Sequence, residues 1–279
     1  MYYYIVDPQR LTQKNYERIQ NRLYSSLSSF RISGETVRVS GLRTIPQLVD
    51  IAFSHGAKTI VAVGGDETLH DVINATKGRD IIVGFIPLFQ TELSEVLGLA
   101  NIESACKVLA GRRITELDLG RASQFYFLSK LTFGINTGNN IGSLLNLGAL
   151  RRFFGLTTFE VSFSADSYRG ILKVVGGTII NTRSGDKESV LASPTDGILD
   201  VILLPKLSKL TIIKQRKNIA QGLFEKIPGA GLIHLKKIHI QSPSGLPLRV
   251  GNRVVAKTPA TVEVIPKALK IIVGKDRTF

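Results

Sequence analysis

The sequence predicts an α/β chain of two domains, an N-terminal doubly wound, mostly parallel sheet over residues 1–120 and a C-terminal β-rich, antiparallel, sandwich-like domain over residues 121–279. Three observations predict it. The 279 residues exceed an ordinary single domain. Up to about Asp118, short β-rich runs alternate with helical periodicity. Beyond it, apolar runs are separated by Gly, Asn, Asp and Pro, as in antiparallel sheets.

In order, Tyr3–Val6 is a strand stopped by Asp7-Pro8. Asn15–Leu27 places Tyr16, Ile19, Leu23 and Leu27 on one helical face, and Thr36–Val39 follows as a strand. Thr44–His55 is a helix with Thr44 as cap, Pro46 in its first turn and Gly56 as its stop, and its stripe is Leu48, Val49, Ala52 and Phe53. Thr59–Val63 reads as a strand buried on both faces, and Leu69, Val72 and Ile73 mark the helix after it. Ile81–Ile86 is a further buried strand, with helices from about Thr91 and over Asn101–Ala110. In the second domain the strands fall on Phe125–Phe133, Thr157–Phe163, Ile171–Ile180, Ile198–Leu204, Lys237–Gln241, Thr261–Ile265 and Leu269–Val273. A helix over about Leu207–Phe224 interrupts them, with Lys214, Arg216 and Lys217 on a basic face, as in an ordinary packing helix or one facing a membrane surface.

Composition narrows the function. No apolar run reaches about 18 residues, so no bilayer span is expected. The N-terminus lacks a signal peptide's basic region and cleavage site. Cys106 is the single cysteine, which excludes a disulfide framework and a thiolate metal site. A cytoplasmic chain follows, peripheral at the inner membrane face. Net charge is +14, and Lys206–Phe279 alone carries fifteen lysines and arginines against three acids. Such a segment favours anionic partners, a lipid surface or a nucleotide. Zinc-finger spacing and aromatic RNA-binding signatures are missing, so nucleic acid is not expected. His55, His70, His234 and His239 lack metal-ligand spacing, and His70 reads as a surface helix position ahead of a ligand contact beside the loop. Arg151-Arg152-Phe153-Phe154 pairs charge with apolar surface, as a lipid contact or an interior loop would.

The strongest local signal is Gly64-Gly65-Asp66-Glu67-Thr68, where a buried strand turns directly into a helix. Paired glycines let backbone N–H groups approach a phosphate, and a helix N-terminus adds positive potential. Asp66 is placed to reach a ribose hydroxyl, a metal ion or an attacking hydroxyl. The loop is not a Walker A motif, because no Gly-Lys-Ser/Thr follows.

Here the chain resembles the diacylglycerol-kinase catalytic-domain family of bacterial lipid kinases. Gly64–Thr68 stands where that family has Gly-Gly-Asp-Gly-Thr, and Ile86-Pro87-Leu88-Phe89-Gln90-Thr91-Glu92-Leu93 where it has Pro-Leu-Gly-Thr-Gly-Asn-Asp. Glu116–Gly120 matches its crossover strand, Ser193–Val201 its Asp-Gly-Leu-Leu-Asp segment, and Val262–Lys270 its closing strands. The resemblance implies ATP in an interdomain cleft, bound at Gly64, Gly65, Asp66, Glu67, Thr68 and Gln90. It implies Mg²⁺-assisted transfer of the γ-phosphoryl group to a lipid hydroxyl, with the lipid in the β-rich domain. It also implies a structural metal at Asp196 and the backbone of Ser193 and Ile198, a segment that a β-turn would equally explain. A homodimer stays open.

Four motifs depart from the family. The second loop glycine is Glu67, whose charge opposes a polyphosphate. Two like charges about 4 Å apart cost about 4 kcal/mol at an effective dielectric near 20. Phe89 is bulky where backbone must approach a ligand, and Leu93 lacks a polar handle. The family's Asp-Gly-Glu, source of its proton acceptor, falls on Gly251-Asn252-Arg253, and no acid lies between Leu232 and Glu263. Losing a general base typically costs about 10²–10⁴-fold in rate. The family's Asn-Pro-x-Ser-Gly is Asp7-Pro8-Gln9-Arg10-Leu11. No residue takes over the base's place, and Asp66 is the one candidate catalytic group. The expectation is therefore a family member with impaired activity. The alternatives are a non-catalytic nucleotide- or anionic-lipid-binding pseudokinase and, more remotely, an NAD kinase, which shares the Gly-Gly-Asp loop.

Overall fold

The computed structural model describes residues 1–8, 12–134, 158–164, 169–183, 192–215, 217–218, 224–241 and 244–279. Among these the chain forms two compact units. Unit 1 takes Met1–Leu119, Arg183 and Pro266–Phe279, and unit 2 takes Gly120–Thr182 and Ala192–Ile265.

Unit 1 runs β1 (Tyr2–Val6), α1 (Gln13–Ser29), β2 (Gly34–Arg38), α2 (Ile45–Ser54), β3 (Thr59–Gly64), α3 (Asp66–Thr76), β4 (Ile82–Pro87), α4 (Glu92–Val96) and α5 (Ile102–Gly111). The chain leaves along β5 (Ile114–Ala122) and returns along β16 (Ala260–Ile272). The sheet order is β2-β1-β3-β4-β16, with every pair parallel. β3 is buried along its whole length, as its unbroken apolar run requires in a sheet covered on both faces. On α1, Tyr16, Leu23 and Leu27 are buried. On α2, Leu48, Val49 and Ala52 are buried, whereas Phe53 is exposed beneath the Arg79 guanidinium, 5.1 Å from the ring centroid. The Thr44 N–H donates to Gln47 Oε1 at 2.9 Å, which fixes the start of α2. Cys106 lies buried on α5, and burial pushes its thiol up to about 12. His70 is a correction: it is buried, because its side of α3 also carries Leu69, Ile73 and Thr76 into the unit.

Unit 2 pairs its strands antiparallel, so the β-rich antiparallel part predicted for the C-terminal half is present. Its strands are β6 (Phe125–Phe127), β7 (Lys130–Phe133), β8 (Phe159–Ser164), β9 (Arg169–Val174), β10 (Gly176–Ile180), β11 (Leu199–Leu204), β12 (Gly231–Leu235), β13 (Lys237–Ile240), β14 (Pro247–Val250) and β15 (Arg253–Lys257). One sheet is ordered β12-β11-β10-β7-β14-β15. The other sets β8 between β9 and β13, and β13 pairs with the first residues of β16. Val161, Ile238, Ile240 and Val262 from this sheet pack against Leu131, Phe133, Ile179, Val201, Leu248 and Val250 from the other.

Two predicted strands are each divided. Phe125–Phe133 breaks at Leu128-Ser129, where the Ser129 carbonyl accepts from the N–H groups of Asn181 and Thr182. Ile171–Ile180 breaks at Val175 into β9 and β10. Of the predicted helix over Leu207–Phe224, α6 (Lys209–Lys214) and residues 217–218 are helical, and Phe224 sits in a short 3-10 turn, Phe224–Lys226. Arg151–Phe154, Arg216 and Gln9–Leu11 lie outside the described residues. No described helix is long and apolar enough to cross a membrane.

Glu263 accepts a hydrogen bond from Arg121 and lies 3.4 Å from Lys237 Nζ. The Arg121 hydrogen bond, against some desolvation, holds the Glu263 carboxyl below the usual carboxylate range. Its folded value is depressed, so the stabilisation is present above the unfolded value of about 4.3 and is lost as pH falls through the lower folded value. Glu263→Gln is therefore expected to remove part of the acid sensitivity below about pH 4.3. Near-ultraviolet circular dichroism during acid titration of both proteins checks it; identical acid profiles would refute the linkage.

Candidate functional site

In a doubly wound sheet the strand order reverses at one place, and ligands bind beyond the carboxyl ends of the strands there. In unit 1 the reversal falls between β1, which leads outward to β2, and β3, which leads to β4. The C-terminal ends at that point bring together Asp7, the Gly64–Thr68 loop and the Pro87–Phe89 segment. The Asp7 N–H donates to the Val63 carbonyl at 2.9 Å, and the Leu88 N–H to the Gly64 carbonyl at 3.0 Å.

The loop is tightly knit. Thr68 Oγ1 accepts from the Gly65 N–H at 3.3 Å and donates to Asp7 Oδ2 at 2.9 Å. A Cβ on Gly64 would stand 2.3 Å from Thr68 Oγ1, so only glycine lets this hydroxyl close over the loop. Asp66, half-buried at the first position of α3, lies 3.5 Å from the Leu93 N–H at the start of α4. Glu67 is exposed in the first turn of α3, where a carboxylate complements the helix dipole.

Phe89 lies against the loop. A Cβ on Gly65 would lie 2.8 Å from Phe89 Cζ, so the ring edge fills the space that this glycine leaves open. Gln90 turns elsewhere, donating from Nε2 to Glu95 Oε1 at 2.6 Å. Thr91 caps α4 by accepting from the Ser94 N–H at 3.1 Å. The tip of the Phe89 ring therefore lies against Gly65, and the Gly65 N–H is donated to Thr68 Oγ1.

The remaining predicted positions lie in unit 2. Gly251 is a turn residue of the β14–β15 hairpin with φ +57°, and Arg253 opens β15 and is exposed. In the Ser193–Ile198 segment, Asp196 Oδ1 accepts from the Ile198 N–H at 2.9 Å, and Gly197 has φ +72°. Ser193 Oγ and Thr195 Oγ1 are 2.8 Å apart. That Asp196 oxygen is spent on closing a turn, so a metal there would need to share it with the amide. Among the described residues, no group of three or more His, Cys, Asp and Glu side chains is placed to hold a metal ion.

Two features escape a reading along the chain. The Thr68–Asp7 bond joins residues 61 positions apart, and only the adjacency of β1 and β3 reveals it. Asp118, within the crossover segment, is buried and accepts from the Lys267 N–H at 2.8 Å, a structural bond between outgoing and returning strands.

The Diacylglycerol kinase catalytic domain family matches residues 2–122, and the YegS C-terminal NAD kinase beta sandwich-like domain family matches residues 146–273. The two follow one another and between them span most of the chain. In both matched parts the chain is similar to the diacylglycerol and lipid kinase family. Among relatives of this family, the chain is 22% identical over 248 residues to "Diacylglycerol kinase" of Mycobacterium tuberculosis, covering 81% of this chain and 80% of that one. It is 29% identical over 247 residues to "Probable lipid kinase YegS-like" of Pseudomonas aeruginosa, again covering 81% and 80%. A crystal structure of a diacylglycerol kinase from Bacillus anthracis superposes with a TM-score of 0.73 at 17% identity, over 99% of this chain and 98% of the other, which establishes the shared fold.

Proposed function

We propose that this lipid-kinase-family chain is impaired in the family reaction, ATP-dependent phosphorylation of a lipid hydroxyl with Mg²⁺, and acts as a non-catalytic protein at an anionic lipid surface. The observation that carries the reading is Phe89 packed on Gly65, which denies a phosphate the loop's open backbone. The hairpin at Gly251 adds to it, because it offers Arg253 in place of a proton acceptor. Surface attachment is supported by α6, which exposes Leu210 and Ile213 one turn apart, with Lys206, Lys214 and Lys217 exposed around them. Each basic residue near an anionic leaflet contributes about 1 kcal/mol.

The test is one experiment with two arms. Incubation with γ-labelled ATP, Mg²⁺ and a total lipid extract gives no label in lipid above blank, while the chain sediments with anionic vesicles. Labelled lipid would overturn the loss of catalysis, and failure to sediment would overturn the surface role. A second reading, an active lipid kinase, is favoured by one observation: Phe89 is 39% exposed, so its ring has room to swing outward when ATP enters. The labelling arm separates the two readings.

A further inference from the structure

In unit 2, β9, β12 and β15 each stand at the end of a sheet and pair along one side among the described strands. The free side of such a strand offers unpaired N–H and C=O groups to another chain, and charge or an irregular register ordinarily guards it. β15 is guarded: Arg253 and Lys257 are exposed at its two ends, and its partner β14 shifts register between Leu248 and Arg249. β12 opens on Gly231 and carries His234, whose ring is held to Asp200. β9 lacks these devices. Ile171 and Leu172 at its middle are 67% and 40% exposed, and its pairing with β8 runs unbroken from Arg169 to Val174.

The register of β9 fixes what each exposed side chain does. Residues directly opposite one another in antiparallel strands share a face. Leu172 stands opposite Val161, which is buried in the core between the sheets, so Leu172 lies on the core side at its open margin. Ile171 stands opposite Ser162 on the outer side. Lys173 stands opposite Glu160, so its charge is matched within the sheet and does not protect the strand. A strand laid along β9 covers one large aliphatic side chain on each face.

We propose that β9 docks a second copy of this chain, the two β9 strands running antiparallel about a two-fold axis at Leu172. In that register Leu172 meets its own counterpart and carries the apolar core across the axis. Lys173 lies opposite the partner's Ile171, so its alkyl stem covers that side chain while its ammonium stays beside Glu160. An axis at Ile171 would instead set Lys173 against Arg169, like charge on like. The two-fold pairing uses the free side of both strands at once, so assembly closes at a dimer. Each copy carries a net charge of +14, which opposes association, so the dimer tightens as salt screens the repulsion. The pairing is independent of whether the chain transfers phosphoryl groups.

Sedimentation velocity of the full chain across the micromolar range, at low and high salt, tests it. The native chain passes from monomer to dimer with rising concentration, and high salt favours the dimer. Leu172→Lys sets two ammonium groups against each other at the axis and weakens the dimer about tenfold or more, with an unchanged circular dichroism spectrum because the position is already exposed. Leu232→Lys, at an exposed position of β12, leaves the dimer intact. A second pair of variants reads the register without disturbing charge. Under mild oxidation Leu172→Cys gives a disulfide-linked dimer, whereas Ile171→Cys does not, because its diagonal separation of about 7–8 Å is too long for a disulfide. The native Cys106 is buried and stays silent. A chain that remains monomeric at every concentration and salt, a dimer untouched by Leu172→Lys, or growth beyond two copies would overturn the proposal. Loss of the dimer in Leu232→Lys alone, or cross-linking through Ile171→Cys in preference to Leu172→Cys, would likewise refute it.

Discussion

Replacing Phe89 with glycine is expected to raise the affinity of the loop for Mg²⁺-ATP above that of the native chain. The ring edge lies where a side chain on Gly65 would stand. Once the ring is removed, the α3 N-terminus faces solvent with the backbone geometry its glycines allow. A hydrogen bond to a charged group is worth about 1.5–3 kcal/mol, so one recovered contact corresponds to at least about tenfold in affinity. The cost in stability stays near about 1–2 kcal/mol, below that of a fully buried phenylalanine, because Phe89 is already 39% exposed. Isothermal titration of both proteins with Mg²⁺-ATP checks it. Equal affinity in the two would show that the ring is no barrier. Binding without turnover in the variant would leave the missing acid near Gly251 as the remaining obstacle.

Phe127→Ala is expected to be the most destabilising single change in unit 2, by about 3–5 kcal/mol. Phe127 is fully buried in the core between the two sheets and pairs directly with Gly120 across β5 and β6. A Cβ on Gly120 would stand 2.1 Å from its Cζ, so the ring lies flush on backbone that carries no side chain. Truncation leaves a void with glycine on one wall and β-strand backbone around it, which neighbouring side chains are poorly placed to refill. Urea unfolding followed by circular dichroism measures the loss, and a change below about 1 kcal/mol would show that the core collapses around the site.

What could be read along the chain was what depends on neighbours in sequence. α2 declares itself through Thr44, Pro46 and Gly56, all within one short segment. β3 declares itself through an unbroken apolar run, and the Gly64-Gly65-Asp66 turn through the strand before it and the helix after it. What could not be read depends on register and packing. His70 looks like a surface position until the faces of α3 are seen. Phe89 lies 24 residues from the glycine it covers, and β3 and β4 must pair before the two meet. Phe125–Phe133 is a single run by composition, and it divides because the Ser129 carbonyl is claimed by the chain beyond β10.

The route of β16 has a consequence for how the protein is made. Residues 266–279 are synthesised after all of unit 2, yet they supply the strand beside β4, and Lys270 bonds Asp80 at 2.7 Å. At about 5–20 residues per second, the nascent α/β sheet waits many seconds on the ribosome with the outer edge of β4 uncovered. An unpaired strand edge is a template for association with other chains. Translation speed through the β-rich half therefore sets how long that edge stays open, and slow codons there would lower the yield of native protein without altering a single residue.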